Sequence, residues 1–499
     1  MAWENIDIVL DAFETDKAAS AMPPGTVNGA SNIDFYTGTV RSLELLEAKR
    51  GMTQDPKAMQ AFFDQSAAYV GLFGSLMQAW TPADTLVDIA PASGLTGAAY
   101  WDTTSFGKWC VVTNDTVNQV PHAISVDMAG TGGKLTPLAG WNSAWECTVI
   151  GTHRNVLWAA DLIESGQAYP NRVRWSASSI TDALPQTWIP AANNDAGQAD
   201  LEIANSRIVD FAAVGDVMFM GGPGGLWAAR WVGGAYVYNF SQINSTQGPR
   251  ALRCMVSMGD AGAMLTPNDI IVFNETSQQS IAGGRILRLI EQFEEAQLMY
   301  APTTRQLIVA YRLPGETGLR HSLIWNRENN TWGKRDYVET PLSCLGAIIV
   351  PVVQVATTWA ASPYTWDQDA RAWGKSYDQE RLFAGANGTA IYAAKSGRYN
   401  WFLQRDNIPS PNGDDIRVRG LELDCEAPAG SQIRMRVGSS NFSGQAPTWG
   451  PIKTYTVGQD NLRHDDLQQG KYISYQLNGQ GSIRITSLRI YYNVRGARP

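Results

Sequence analysis

From about residue 66 onward, short apolar, β-prone runs alternate with glycine and polar turns. Residues 217–220, 226–232 and 235–240 are separated by Gly221-Gly222-Pro223-Gly224-Gly225 and by Gly233-Gly234, and residues 306–313, 320–326 and 331–338 repeat the arrangement. Each set predicts a three-stranded antiparallel meander. Two stretches are near copies: Trp325-Asn326 followed by Trp332-Gly333-Lys334, and Trp366-Asp367 followed by Trp373-Gly374-Lys375, with their first tryptophans 41 positions apart. In each, an apolar run ends at the first tryptophan, a polar turn follows, and a second short strand carries the other, which predicts a hairpin. A looser third copy runs from Trp101-Asp102 to Gly107-Lys108-Trp109.

A repeat of roughly 40 to 50 residues made of antiparallel strands is the period of β-propeller blades, whose small sheets bury their faces only against neighbours. The tryptophan spacing resembles that of the kelch hairpin, although no glycine doublet precedes Trp325. The expected fold is therefore all-β: a β-propeller with kelch-like hairpins, a C-terminal β-sandwich-like domain and an extended N-terminal arm. Residues 1–65 read as the arm with a short helix: 43–50 fits one, and Asp55-Pro56 then reads as a helix start, supplying a cap and first-turn proline ahead of Phe62, Phe63, Tyr69 and Val70 at helical spacing. Residues 66–412 read as the propeller, with a helix inserted at 286–300. The breaker cluster at 409–415 opens a second domain, 413–499, whose strands alternate apolar and polar positions.

Composition agrees with a folded β protein: 499 residues with 47 glycines and 24 prolines for turns, 18 tryptophans to fill layers, and 17% charged residues. Residues 416–499 hold eleven basic and six acidic side chains, a net of +5, so with −8 for the whole chain the first 415 residues carry −13. That acidic balance opposes a tight grip on nucleic acid, whose affinity is built from cationic contacts to phosphate. The five cysteines form no Cys-x-x-Cys pair and the four histidines stand far apart, so neither a zinc site nor a disulfide framework is expected. Glu4, Asp7 and Asp11 occupy the place of the basic start of an export signal, and the most apolar segment, 345–361, is interrupted by Pro351 and Gln354 and falls short of a membrane span.

No catalytic, cofactor or metal site is expected. Gly221 to Gly225 lacks the lysine and hydroxyl of a phosphate loop and reads as a hairpin turn. Residues 179–188, with Asp182 and Trp188, are loosely similar to the Asp-box of sialidase propellers, without its glycine and with a longer interval. Glu294-Glu295 and Asp414-Asp415 are adjacent pairs that do not define two opposed carboxylates. Trp325, Trp332, Trp366, Trp373, Trp175 and Trp188 are read as structural side chains of the repeats.

Several stretches in order resemble the propeller proteins that close the tail of short-tailed bacteriophages, the tail nozzle or packaged-DNA stabilisation family. They are Asn171-Arg172-Val173-Arg174-Trp175-Ser176 with Asp182 and Trp188; Ser245-Thr246-Gln247-Gly248 with residues 265–273 and 281–286; residues 301–332; and a tail end with Arg417-Val418-Arg419, Arg434-Met435-Arg436-Val437-Gly438, Trp449-Gly450-Pro451 and Gly496-Ala497-Arg498. The likeness spans roughly residues 150–499. It implies a non-enzymatic virion protein made in the bacterial host cytoplasm, forming a homohexameric ring at the tail tip. Such a ring extends the DNA exit channel, retains packaged DNA, and contacts a portal adaptor, tail fibres or spikes, and a plug or needle. DNA would pass transiently, without tight binding. Arg417, Arg419, Arg434 and Arg436 are the expected interface. A carbohydrate-binding propeller, or a sialidase-like glycosidase, is the alternative reading of the same pattern.

Overall fold

In the computed structural model, the described residues are 4–36, 38–64, 67–93, 95, 99–179, 183–202, 207–234, 237–337, 340–351, 377–385, 390–398 and 400–494. Within them, seven four-stranded antiparallel units follow one another along the chain, six of them separate sheets and one the first four strands of a ten-stranded sheet. Blades 1 to 6 start at the strands Ala58–Phe63, Trp101–Phe106, Trp145–His153, Asp210–Val214, Met255–Ser257 and Glu295–Ala301, and blade 7 starts at Leu342–Pro351. These seven first strands lie side by side in chain order, and the last also packs on the first, which closes a seven-bladed propeller around a central cavity.

Inter-blade packing follows from the period-two geometry of a strand buried on both faces. In blade 3, the run Val156 to Ala160 is entirely buried; Val156, Trp158 and Ala160 face the core shared with blade 4, while Leu157 and Ala159 face the core shared with blade 2. The same division produces a core at every blade junction, ending with Met59, Ala61, Val70 and Leu72 of blade 1 against Cys344 and Ile391 of blade 7. Four of the five cysteines are buried free thiols in these layers and the fifth, Cys425, is half-buried and also free.

The N-terminal arm is extended, and it is paired along most of its length. Glu4–Ile8 joins Arg484–Val494, Gly29–Ser31 joins Trp401–Pro409, and Ile33–Tyr36 joins the last strand of blade 6 through Lys334. Glu44–Gly51 supplies the outer strand of blade 7 by pairing with Ala390–Arg398. The helices expected at 43–50 and after Asp55-Pro56 are therefore strands. For the second, Phe62 and Tyr69 are directly opposed across a hairpin, ring centroids 5.6 Å apart; a seven-residue interval that fits two helical turns fits this pair equally. For the first, pairing with blade 7 overrides local helix preference. The inserted helix is one turn, Leu287–Ile290, followed by the inner strand Glu295–Ala301 of blade 6.

Two further sheets form the C-terminal sandwich. One contains Glu4–Ile8, Arg484–Val494, Ile416–Glu426 and Arg463–Gly470; the other contains Gly29–Ser31, Trp401–Pro409, Tyr472–Gly479, Gln432–Ser440, Thr448–Trp449 and Lys453–Thr456. Their inner faces meet through Leu403, Val418, Leu421, Met435, Val437, Ile473, Leu477 and Ile490. Trp401–Pro409 lies within the residues read as propeller but belongs to this sandwich, and the breaker cluster is the turn carrying the chain from one sheet to the other. The first sandwich sheet continues through Thr39–Ser42 and Ile33–Tyr36 into blade 6, so propeller and sandwich share one ten-stranded sheet.

Candidate functional site: the channel and its mouth

The central cavity, about 410 Å³, is lined by side chains from all seven inner strands. Polar groups on these strands tie neighbouring blades together. The Ile150 N–H of blade 3 donates to Asp102 Oδ2 of blade 2 (2.8 Å), and the Met255 N–H of blade 5 donates to Asp210 Oδ2 of blade 4 (2.7 Å). The Leu345 N–H of blade 7 donates to Gln297 Oε1 of blade 6 (3.2 Å). The remaining oxygen of each aspartate accepts the N–H of its own next residue, Thr103 or Phe211. Burial pushes the Asp102 carboxyl up to about 6, against the Ile150 N–H and the Arg253 charge. Asp210 is likewise raised well above the usual carboxylate range, by burial first and then by the charge of Asp102.

Arg253 is the cation that faces both aspartates. It precedes the inner strand of blade 5 in left-handed backbone, φ +61°, a region that non-glycine residues seldom occupy. Among the described residues its side chain makes no hydrogen bond or ion pair. Where the inner strands begin, the channel opens into a cavity of about 440 Å³ lined by Lys57, Tyr100, Arg250, Leu252, Arg253 and Arg312, together with Glu294 and Glu295. A second cavity of about 290 Å³ shares Tyr100, Arg250, Ala251 and Leu252 with it and extends over Ile208, Val209 and Pro223 to Arg207. The two form one groove across the propeller face.

The sequence-derived residues fall elsewhere. Trp325 and Trp332 face each other across the blade 6 hairpin; the Trp325 indole N–H donates to Asn330 Oδ1 (3.0 Å) and that of Trp332 to the Ile281 carbonyl of the loop after blade 5 (3.0 Å). Trp175 packs with Trp158 and Tyr238 at the junction of blades 3 and 4, and Trp188 is fully buried edge-on to Trp141. Trp366 and Trp373, like Asp182, lie outside the described residues. Arg417 and Arg419 project from one sandwich sheet, Arg434 and Arg436 from the other, each alternating with core residues. The four arginines thus occupy two opposite outer faces. Gly221 to Gly225 is a hairpin turn, with Gly222 paired to Gly225, and Glu294 and Glu295 both pair with Arg312.

Asp102 stands in the third tryptophan hairpin, yet nothing in its sequence context marks it as an inter-blade acceptor. Arg253 has no sequence signal at all, because its place depends on the ring closing around it. Among the described residues no helix is long and apolar enough to cross a membrane, and no group of three or more metal-ligating side chains is present. No family model and no curated protein matches the chain. Among solved structures it is similar to that of U3-55K, at a TM-score of 0.38 and 10% identity, covering 61% of this chain and 89% of that one. It is also similar to a chain of the mitotic checkpoint complex, at a TM-score of 0.40 and 12% identity, covering 71% and 91% respectively.

Proposed function

We propose that the chain is a structural, non-catalytic virion protein whose copies form the ring at the tip of a short phage tail. The observation that carries the reading is mechanical: a propeller and a sandwich that share one ten-stranded sheet, joined through the N-terminal arm at Lys334–Ile33 and at Val40–Arg41 with Arg484–Ile485. A part that holds pressurised DNA needs a stiff wall, and a shared sheet resists hinge motion between domains far better than a linker does. The order of likenesses from residue 150 to the C-terminus supports the same role.

In this role the genome would run through the space enclosed by six copies rather than through one propeller, since the central cavity of about 410 Å³ has the size of a small-molecule pocket. Residues 1–415, net −13, would let DNA slide past without adhering. The portal adaptor, fibres or spikes, and a plug would dock on the outer surfaces, the two arginine-bearing faces of the sandwich among them. The large tryptophans Trp101, Trp158, Trp188, Trp332 and Trp401 are buried in packing, which spends on cohesion the aromatics that a sugar-binding mouth would display.

Cryo-electron microscopy of particles carrying a C-terminal label on this chain tests the reading. Labelled sixfold density at the tail tip is expected; purified particles without the chain would overturn it.

A further inference from the structure

We infer that the groove at the channel mouth is a docking site for an extended acidic peptide of a partner protein, one that presents an apolar side chain between carboxylates. The inference does not depend on the virion reading. It starts from the charge balance of the groove: Lys57, Arg207, Arg250, Arg253 and Arg312 line it against Asp115, Glu294 and Glu295, a net of +2 (five cations less three acids) within a region whose net charge is −13.

Not all of these cations are occupied. Arg312 is held by Glu294 and Glu295, and Arg207 pairs with Asp161. Arg250 donates to the Phe293 carbonyl (2.9 Å). Arg253 and Lys57 have neither an ion pair nor a side-chain hydrogen bond among the described residues, so three guanidinium or ammonium groups face the groove with donors to spare.

Between the cations the floor is mostly apolar, with Asp115 and Thr148 as its polar members. Ile208, Val209, Pro223 and Leu252 line it, and Tyr100 stands over it 57% exposed. An arginine beside an aliphatic floor favours a ligand that carries a carboxylate and an apolar group a few ångströms apart, because a bidentate guanidinium–carboxylate pair gains strength where water is excluded. Duplex nucleic acid offers phosphates but no apolar side chain, and inorganic phosphate would leave the floor wet. A peptide supplies both features at the spacing of successive side chains. Arg253 lines both the channel and its mouth, and its left-handed backbone is of the kind tolerated where surrounding structure holds it.

The test uses the full chain and a ribosome-displayed library of random dodecapeptides. Enriched sequences are expected to flank Leu, Ile or Phe with Asp or Glu and to bind in fluorescence anisotropy with a salt-dependent, micromolar Kd. Arg253→Ala should weaken them by about tenfold or more, the scale of one lost charge-assisted contact. Lys57→Glu, at an exposed position where misfolding is not expected, should weaken them as well, while Arg434→Ala on the sandwich should not. Enrichment without acidic residues, binding unchanged in both mouth variants, or equal binding of an oligothymidylate of matched charge would each overturn the proposal. Competition by millimolar inorganic phosphate alone would likewise reduce the groove to a simple anion site and overturn it.

Discussion

Asp102 and Asp210 serve as acceptors for the next blade's backbone, yet they stand where ionisation is costly. Burial raises the Asp102 carboxyl to about 6, well above the ordinary value near 3.9. With the folded-state pKa above the unfolded one, its contribution to stability is fully present below pH 4 and is lost as pH rises through 6. Asp102→Asn gives up the Thr103 contact at every pH but keeps an amide oxygen for Ile150, so it should flatten this slope, by about 3 kcal/mol for a shift of roughly two units. Urea unfolding of both proteins at pH 4 and pH 7 measures it; parallel pH profiles would refute the assignment. His321 shows the same pH dependence from the opposite cause, since here the charged form is the one favoured. Burial opposes its charge, but Asp336 (2.6 Å from Nδ1) and Glu316 (3.0 Å from Nε2) outweigh that and raise its pKa. Its stabilisation is present below the unfolded value near 6.5 and disappears as pH climbs past the folded value. His321→Gln should therefore lower Tm more at pH 6 than at pH 9.

A blade's cohesion depends on the hairpin that carries its tryptophans. Trp332 is 1% exposed and ties blade 6 to the loop after blade 5 through its indole N–H. Trp332→Phe should cost about 1–3 kcal/mol by leaving the Ile281 carbonyl unpaired, and Trp332→Ala about 3–5 kcal/mol as a cavity opens; no loss for Trp332→Phe in denaturant titrations would show that the hydrogen bond contributes nothing. The neighbouring Gly333 has a different reason to be small, since a Cβ there would sit 2.6 Å from the Ile33 carbonyl of the arm. Gly333→Val should loosen the arm, seen as faster amide exchange at residues 33–36, while the rest of blade 6 stays protected. These hairpins were legible in the sequence because two strands and their turn are adjacent in the chain. The pair Phe62 and Tyr69 is ambiguous in the sequence for a related reason: one interval serves two helical turns and one hairpin, and only the partner strand decides between them.

For the molecule as a whole, the arm ties the seven blades and the two sandwich sheets into one body. It gives an outer strand to blade 7, a strand to each sandwich sheet, and the bridge between sandwich and blade 6. Calorimetry should accordingly show a single unfolding transition, and two well-separated transitions would mean that the shared sheet does not couple the domains. Removal of residues 1–52 leaves open strand edges on blade 7 and in both sandwich sheets, and such edges favour aggregation. The truncated chain should be insoluble when made alone and recovered when the arm is co-expressed; a soluble monomer with unchanged Tm would contradict this.

The alternation of apolar and polar positions, the glycine turns and the tryptophan spacing determined the fold class, the blade hairpins and the existence of a β-sandwich, because all of these are local in the chain. The number of blades, the origin of blade 7's outer strand in the arm, the placement of Trp401–Pro409 in the sandwich and the gathering of Arg253 with Asp102 and Asp210 were decided by tertiary structure. Each depends on which distant strands become neighbours when the ring closes, and the energy that selects those neighbours lies in burial between sheets rather than in any single segment.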